Sequence, residues 1–357
     1  ADVFFVAFRL PNTFRRLFAE GTFNAAFIPS YSGELVAGKK FADAFAKNVF
    51  NILLLILLVI VLLAEIFMPY LIYLIAPGFY KDPEKLNLAV FLSRITFPFL
   101  LFISLASFFA AILNSYNKFA ITAAAPIILN IVLIVSLFFS QWLNTSEVLA
   151  LSYAVSLSGF LQLLILFYFV KKNFTPTISL RFKINKKIKF FFKKLLPSIF
   201  SSGVTQINIL IGTIIASFQA SAVSYLYYAD RIYQINLAIA GIAIGTVILP
   251  KLSKFVNENQ SKEILILQNK AVELSLFLSI PASIAILIGS DEIISALFGY
   301  GSFGEKEIKN TSDALFYFSI GLPAFSIIKV FSSFYFARKN TKTPFYISLF
   351  SVLLNIL

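Results

Sequence analysis

The run Asn51-Ile52-Leu53-Leu54-Leu55-Ile56-Leu57-Leu58-Val59-Ile60-Val61-Leu62-Leu63 lies at the centre of an apolar segment that covers residues 45–75. A helix of about 20 mostly apolar residues crosses the hydrocarbon core of a bilayer, and this segment is longer than that. Similar runs lie near 2–31, 87–113, 119–140, 147–170, 190–217, 221–250, 263–289, 310–336 and 344–357, the last stopping inside its pattern. Charged residues make up 13% of the chain, about half the share usual in soluble domains, which is about 25%. Mean hydropathy is +0.86. The chain therefore reads as an all-α polytopic membrane protein.

The formal charge of +13 does not point to nucleic acid, because the basic residues fall mainly in short connections between apolar runs, the pattern that orients membrane proteins. Alternate connections, starting with the one after the first run, carry 19 Lys and Arg, and the opposite connections carry 4. The positive-inside rule makes the 19-residue side cytoplasmic, so residue 1 starts outside. With no Cys and no His, disulfides, thiolate chemistry and imidazole acid–base or metal chemistry drop out. No cofactor is expected. The first residue is Ala1 and the last, Leu357, lies within an apolar run, so both ends read as cuts through a longer protein.

Pro11, Pro98, Pro126, Pro281 and Pro323 fall inside the apolar runs, where each removes a backbone hydrogen bond and tends to kink a helix. Neighbouring Ser or Thr hydroxyls, or water in a cavity, can satisfy the freed carbonyls.

The basic connection at 171–189 divides the chain into two similar parts. A shift of 221 residues lays Phe27-Ile28-Pro29 on Ile248-Leu249-Pro250, and a shift of 225 lays Leu129-Asn130-Ile131 on Leu354-Asn355-Ile356. Six spans per period would give parallel repeats, a plan that places a transport site at the repeat interface; chance likeness between apolar segments is the alternative.

The first run carries charge at membrane depth, in Phe14-Arg15-Arg16-Leu17-Phe18. At about 100° per residue, Asp2, Arg9, Thr13, Arg16, Glu20 and Asn24 share one helix face, and Arg15 points about 100° away from Arg16. Guanidinium forks suit phosphate because they donate paired hydrogen bonds and keep their charge when buried. The competing reading is that these arginines snorkel to the interface or pair internally with Asp2 and Glu20. In the second half, Tyr227-Tyr228-Ala229-Asp230-Arg231 supplies a cation near the level of Arg9, or else a closed Asp230/Arg231 network. Gly241 and Gly245 have a spacing that marks close helix packing. Among the other ionisable residues at membrane depth, Lys329 is expected to face an interior.

The segment Ala1-Asp2-Val3-Phe4-Phe5-Val6-Ala7-Phe8-Arg9-Leu10-Pro11-Asn12, continuing through Arg15-Arg16-Leu17-Phe18-Ala19-Glu20-Gly21-Thr22-Phe23, resembles the second transmembrane helix of the MurJ/MviN family. Further likeness lies in Ala76-Pro77-Gly78-Phe79, Ile95-Thr96-Phe97-Pro98 and Gly245-Thr246-Val247-Ile248-Leu249-Pro250. The resemblance implies a flippase of lipid II, the undecaprenyl-pyrophosphate-linked peptidoglycan precursor, working by alternating access in the bacterial cytoplasmic (inner) membrane for cell wall biogenesis and cell shape. An exporter of another polyprenyl-pyrophosphate-linked oligosaccharide in the same superfamily is the alternative. No enzymatic step is implied.

The fold it implies is two parallel-repeat six-helix lobes around a central cationic cavity. Residues 1–170 would form the N-lobe (family helices 2 to 6, the first missing), 171–189 a basic cytoplasmic linker and 190–357 an incomplete C-lobe (helices 7 to 11). Asp2, Arg15 and Arg231 are the family functional positions, with Asn12, Arg16 and Glu20 in the same matched motif. The implied partners are the lipid-linked pyrophosphate, membrane lipid and cell-wall synthesis proteins. Glu273 stands where the family tends to be basic. Energy would come from an ion gradient or the membrane potential, because no phosphate-cradling Gly-x-x-x-x-Gly-Lys-Ser/Thr loop is present.

Overall fold

The computed structural model describes residues 1–18, 22–142, 144–179, 186–338, 340 and 342–356; Glu20 and the side chain of Arg16 lie outside the described residues. Among these, every regular element is helical. In the first half they are α1 (Asp2–Phe18), α2 (Thr22–Ala37), α3 (Lys39–Ile75), a 3-10 turn (Pro77–Lys81), α4 (Pro83–Thr96), α5 (Phe99–Ser115), α6 (Phe119–Ala124), α7 (Ile127–Trp142) and α8 (Glu147–Val170). There follow α9 (Lys186–Ser217), α10 (Ala222–Leu237), a π-helical segment (Ala238–Ala243), α11 (Ile244–Asn257), α12 (Ser261–Phe298), α13 (Glu305–Ala337) and α14 (Lys342–Ile356).

Among the described residues, seven spans are long and apolar enough to cross a membrane: α3, α4 with α5, α6 with α7, α8, Ala222–Leu249, α12 and α13. They match seven of the expected runs. The other three hold α1 with α2, α9 and α14, of which Asn208–Ser217 and Lys342–Leu354 count as shorter apolar helices.

Prolines interrupt these helices, and hydroxyls on packed neighbours answer the interruptions. Pro11 cannot donate to the carbonyl four residues back, that of Ala7, and the buried Thr96 hydroxyl of α4 donates to it instead at 2.9 Å. Before Pro98, where α4 gives way to α5, Ser156 of α8 donates to the Ile95 carbonyl. Pro323 frees the Ser319 carbonyl, which accepts from Ser283 of α12 at 2.6 Å. The π-helical segment also departs from the regular ladder, and its Ala240 carbonyl accepts from Ser275 at 2.7 Å. In α12 the non-helical residue is Gly289, not Pro281.

The chain forms two compact units, Ala1–Phe218 and Gln219–Leu357. In the first, a knot of aromatic rings ties α2, α3, α5 and α9 together. Fully buried Phe27 meets Phe108 at 5.1 Å, Tyr31 at 5.4 Å, Phe45 at 5.9 Å and Phe191 at 6.0 Å between ring centroids. Phe191 brings α9 into this unit, so packing divides the chain after α9, whereas the sequence division lies at 171–189. That basic connection is pinned to α3: the Asn51 amide donates to the Thr177 carbonyl at 3.1 Å and accepts from the Ser179 N–H at 3.0 Å.

In the second unit, α12 and α13 pack through small buried residues: Ser275, Ser279 and Ser283 on one helix, Ser312, Ser319, Ser326 and Ser333 at seven-residue spacing on the other. In lipid, helix association depends on such close approach. Gly241 and Gly245 do pack closely, as their spacing indicated. A Cβ on Gly241 would fall 3.0 Å from the Ser326 Cα, and one on Gly245 2.8 Å from the Ser333 hydroxyl.

Thr96→Val keeps the side-chain shape and removes the donor to the Ala7 carbonyl. We expect a loss of about 0.6–1.7 kcal/mol, the range for interhelical hydrogen bonds in membranes, in thermal unfolding of the purified protein, with Thr96→Ser close to the original stability.

Candidate functional site

The expected site residues that the structure describes fall into separate groups. Asp2 opens α1 and is 5% exposed; its carboxylate takes the Lys85 ammonium of α4 at 3.1 Å. On sequence alone Asp2 reads as a counter-charge to the arginines of its own helix, and nothing in the sequence marks Lys85 as its partner. No spacing rule links the two, since the contact spans 83 residues. Only the packing of α1 on α4 brings them together.

Asn12 and Arg15, one turn apart, are brought together: the Arg15 Nε donates to the Asn12 Oδ1 at 2.9 Å. This fixes the plane of the guanidinium. Arg15 lies on the wall of a cavity of about 410 Å³ within the first unit, with Ser107 and Asn114 of α5, Thr122 of α6 and Gln162 of α8 among the other polar lining groups. Arg16 and Glu20 cannot be placed beside it, because their side chains are outside the described residues.

In the second unit the Asp230/Arg231 network is present, with a tyrosine ring as its third member. The Arg231 Nη2 lies 3.6 Å from the Asp230 carboxylate, the guanidinium stacks over the Tyr227 ring at 4.5 Å, and Gln234 donates to the same Asp230 oxygen. The buried Arg231 Nε has no hydrogen-bond partner, while the side chain as a whole keeps 41% of its surface exposed. The network thus anchors the cation and leaves it reachable. Lys329, expected to face an interior, is exposed on the surface of its unit.

Residues Gly33 to Lys39 match the opening of a phosphate-cradling loop in spacing. Gly33 is inside α2, however, and Lys40 stands where the hydroxyl residue belongs, so no nucleotide loop forms. Among the described residues no group of three or more acidic side chains could hold a metal ion.

A membrane bundle with an anchored guanidinium in each unit narrows the families this chain can join, and comparison with known proteins decides among them. The family model for the lipid II flippase MurJ matches residues 1–357. The chain belongs to the lipid II flippase MurJ family. Among curated MurJ relatives, a probable lipid II flippase of Rickettsia prowazekii (strain Madrid E) is 41% identical over 356 residues, covering 98% of this chain and 69% of that protein. One from Rhizobium meliloti (strain 1021) is 41% identical over 362 residues, covering 100% and 68%. A solved lipid II flippase MurJ in an inward closed conformation superposes with a TM-score of 0.86 at 30% identity, over 99% of this chain and 72% of that one. An inward-facing multidrug resistance transporter of the MATE family gives 0.81 at 16% identity, over 99% and 83%, which shows shared fold alone.

For this MurJ family member, Arg231→Lys keeps the positive charge and loses the planar stack on Tyr227. Cation–π stacking contributes about 0.5–2 kcal/mol, so the purified protein should lose about that much stability, measured by thermal unfolding.

Proposed function

We propose that this protein carries lipid II from the cytoplasmic to the outer leaflet of the bacterial cytoplasmic membrane by alternating access, with arginine guanidinium groups engaging the pyrophosphate of the headgroup. One observation carries the reading: a chain that lies wholly within the MurJ family keeps in each unit an arginine fixed by a partner in its own helix, Arg15 by Asn12 and Arg231 by Asp230 and Tyr227.

The chemistry supports that assignment. A pyrophosphate needs donors that stay charged where water is scarce, and guanidinium does so where an ammonium is easily neutralised. Anchoring each fork beforehand reduces the ordering cost paid when the headgroup arrives. No bond is made or broken. Transport against a gradient would draw on an ion gradient or the membrane potential, which is worth about 2.3 kcal/mol per elementary charge per 100 mV. In this scheme the two lobes open in turn to the two sides while the polyprenyl tail stays in lipid. Asp2, Asn12, Arg16 and Glu20, which lie in the same motif, are assigned to substrate binding, and cell-wall synthesis proteins supply and consume the substrate.

The test is lipid II translocation by the full-length protein in proteoliposomes. A charge-assisted hydrogen bond contributes about 1.5–3 kcal/mol, so Arg15→Ala and Arg231→Ala should each slow flipping by about 10- to 100-fold. Full-rate flipping by a well-folded double variant would refute the headgroup site. Transport of a different polyprenyl-pyrophosphate oligosaccharide in preference to lipid II would reassign the cargo.

A further inference from the structure

Four elements of the first unit meet at the end that the loop charges assign to the outer side. The chain between α3 and α4 makes the 3-10 turn Pro77–Lys81, and its Gly78 N–H donates to the Ser217 hydroxyl at the end of α9 at 3.0 Å. The approach is so close that a Cβ on Gly78 would lie 2.1 Å from the Ser217 carbonyl oxygen. The next residue, Phe79, is 1% exposed and offers its ring face to the Lys85 ammonium at 4.3 Å.

Lys85 itself is held in place by the start of α4. Asp82 caps that helix by accepting from the Lys85 backbone N–H at 3.1 Å, and Pro83 occupies its first turn, where a missing N–H costs nothing. From this fixed base the ammonium reaches the Asp2 carboxylate at 3.1 Å. Asp2, Lys85, Phe79, Gly78 and Ser217 thus form one continuous line joining α1, α4, the turn and α9. Four residues beyond α9 comes Ser221, in the left-handed region at φ 63°, and then α10, which carries Asp230 and Arg231.

We propose that Lys85 is a positioning residue of the transport cycle. It engages the Asp2 carboxylate from outside α1 and buckles the outer end of α1 to the turn that grips α9. An ammonium between a carboxylate and an aromatic face is satisfied on both sides, which makes the contact specific to a cation. The inference rests on the flippase reading above for its consequence and on the contacts alone for its existence.

The experiment compares Lys85→Met, Lys85→Arg and the exchanged pair Asp2→Lys with Lys85→Asp in the full-length protein. Two readouts are taken: lipid II flipping in proteoliposomes, and labelling of a reporter Phe4→Cys by an impermeant maleimide added outside. The present sequence contributes no competing Cys. Lys85→Met should slow flipping about 10- to 100-fold, the range set by misplacing groups around a bound substrate, and should speed outer labelling. Lys85→Arg should retain both behaviours, and the exchanged pair should recover part of each. Unchanged flipping in Lys85→Met overturns the proposal, as does equal slowing by Met and Arg with labelling unmoved, which would mark a merely structural residue. If the unsubstituted protein fails to flip lipid II, the flippase reading falls, and the labelling comparison alone decides the buckle.

Discussion

Inside a bilayer a backbone carbonyl that loses its helical donor finds no water to replace it, and this constraint organises the structure. The chain places prolines in the middle of its spans and then meets the consequence with hydroxyls from the neighbouring helix. Thr96 answers Ala7 and Ser283 answers Ser319. Ser275 does the same for Ala240 in the π-helical segment. Each bond also fixes how two helices pack, because a hydroxyl reaches a carbonyl only at close approach. The bends and the helix pairings are therefore one property.

Charge in these apolar helices is handled in the same way, by supplying partners for it. On α1, Asp2 is taken up by Lys85 and Arg15 by Asn12. On α10, Arg231 is braced by Asp230 and the Tyr227 ring. A cation held this way is costly to bury and cheap to use, since its geometry is already set when an anion approaches.

The aromatic residues serve packing. Phenylalanine occurs 43 times, and around Phe27 its rings bind helices from distant parts of the sequence, including α9. This knot is the reason the compact unit continues past the basic connection to Phe218. Pinning of that connection by Asn51 works in the same direction.

The sequence alone determined the solvent, the helices and the family. Span length and hydropathy follow from local composition, and the long motif around Arg15 and Arg16 is contiguous, so both can be read along the chain. The proline positions were equally legible, as was the close packing at Gly241 and Gly245, because each depends on one residue type and its spacing. Tertiary structure alone decided which hydroxyl answers which carbonyl, that Asp2 meets Lys85, and that α9 packs with the first half. Those outcomes depend on contacts between residues tens or hundreds of positions apart, and neither periodicity nor composition carries information about such contacts.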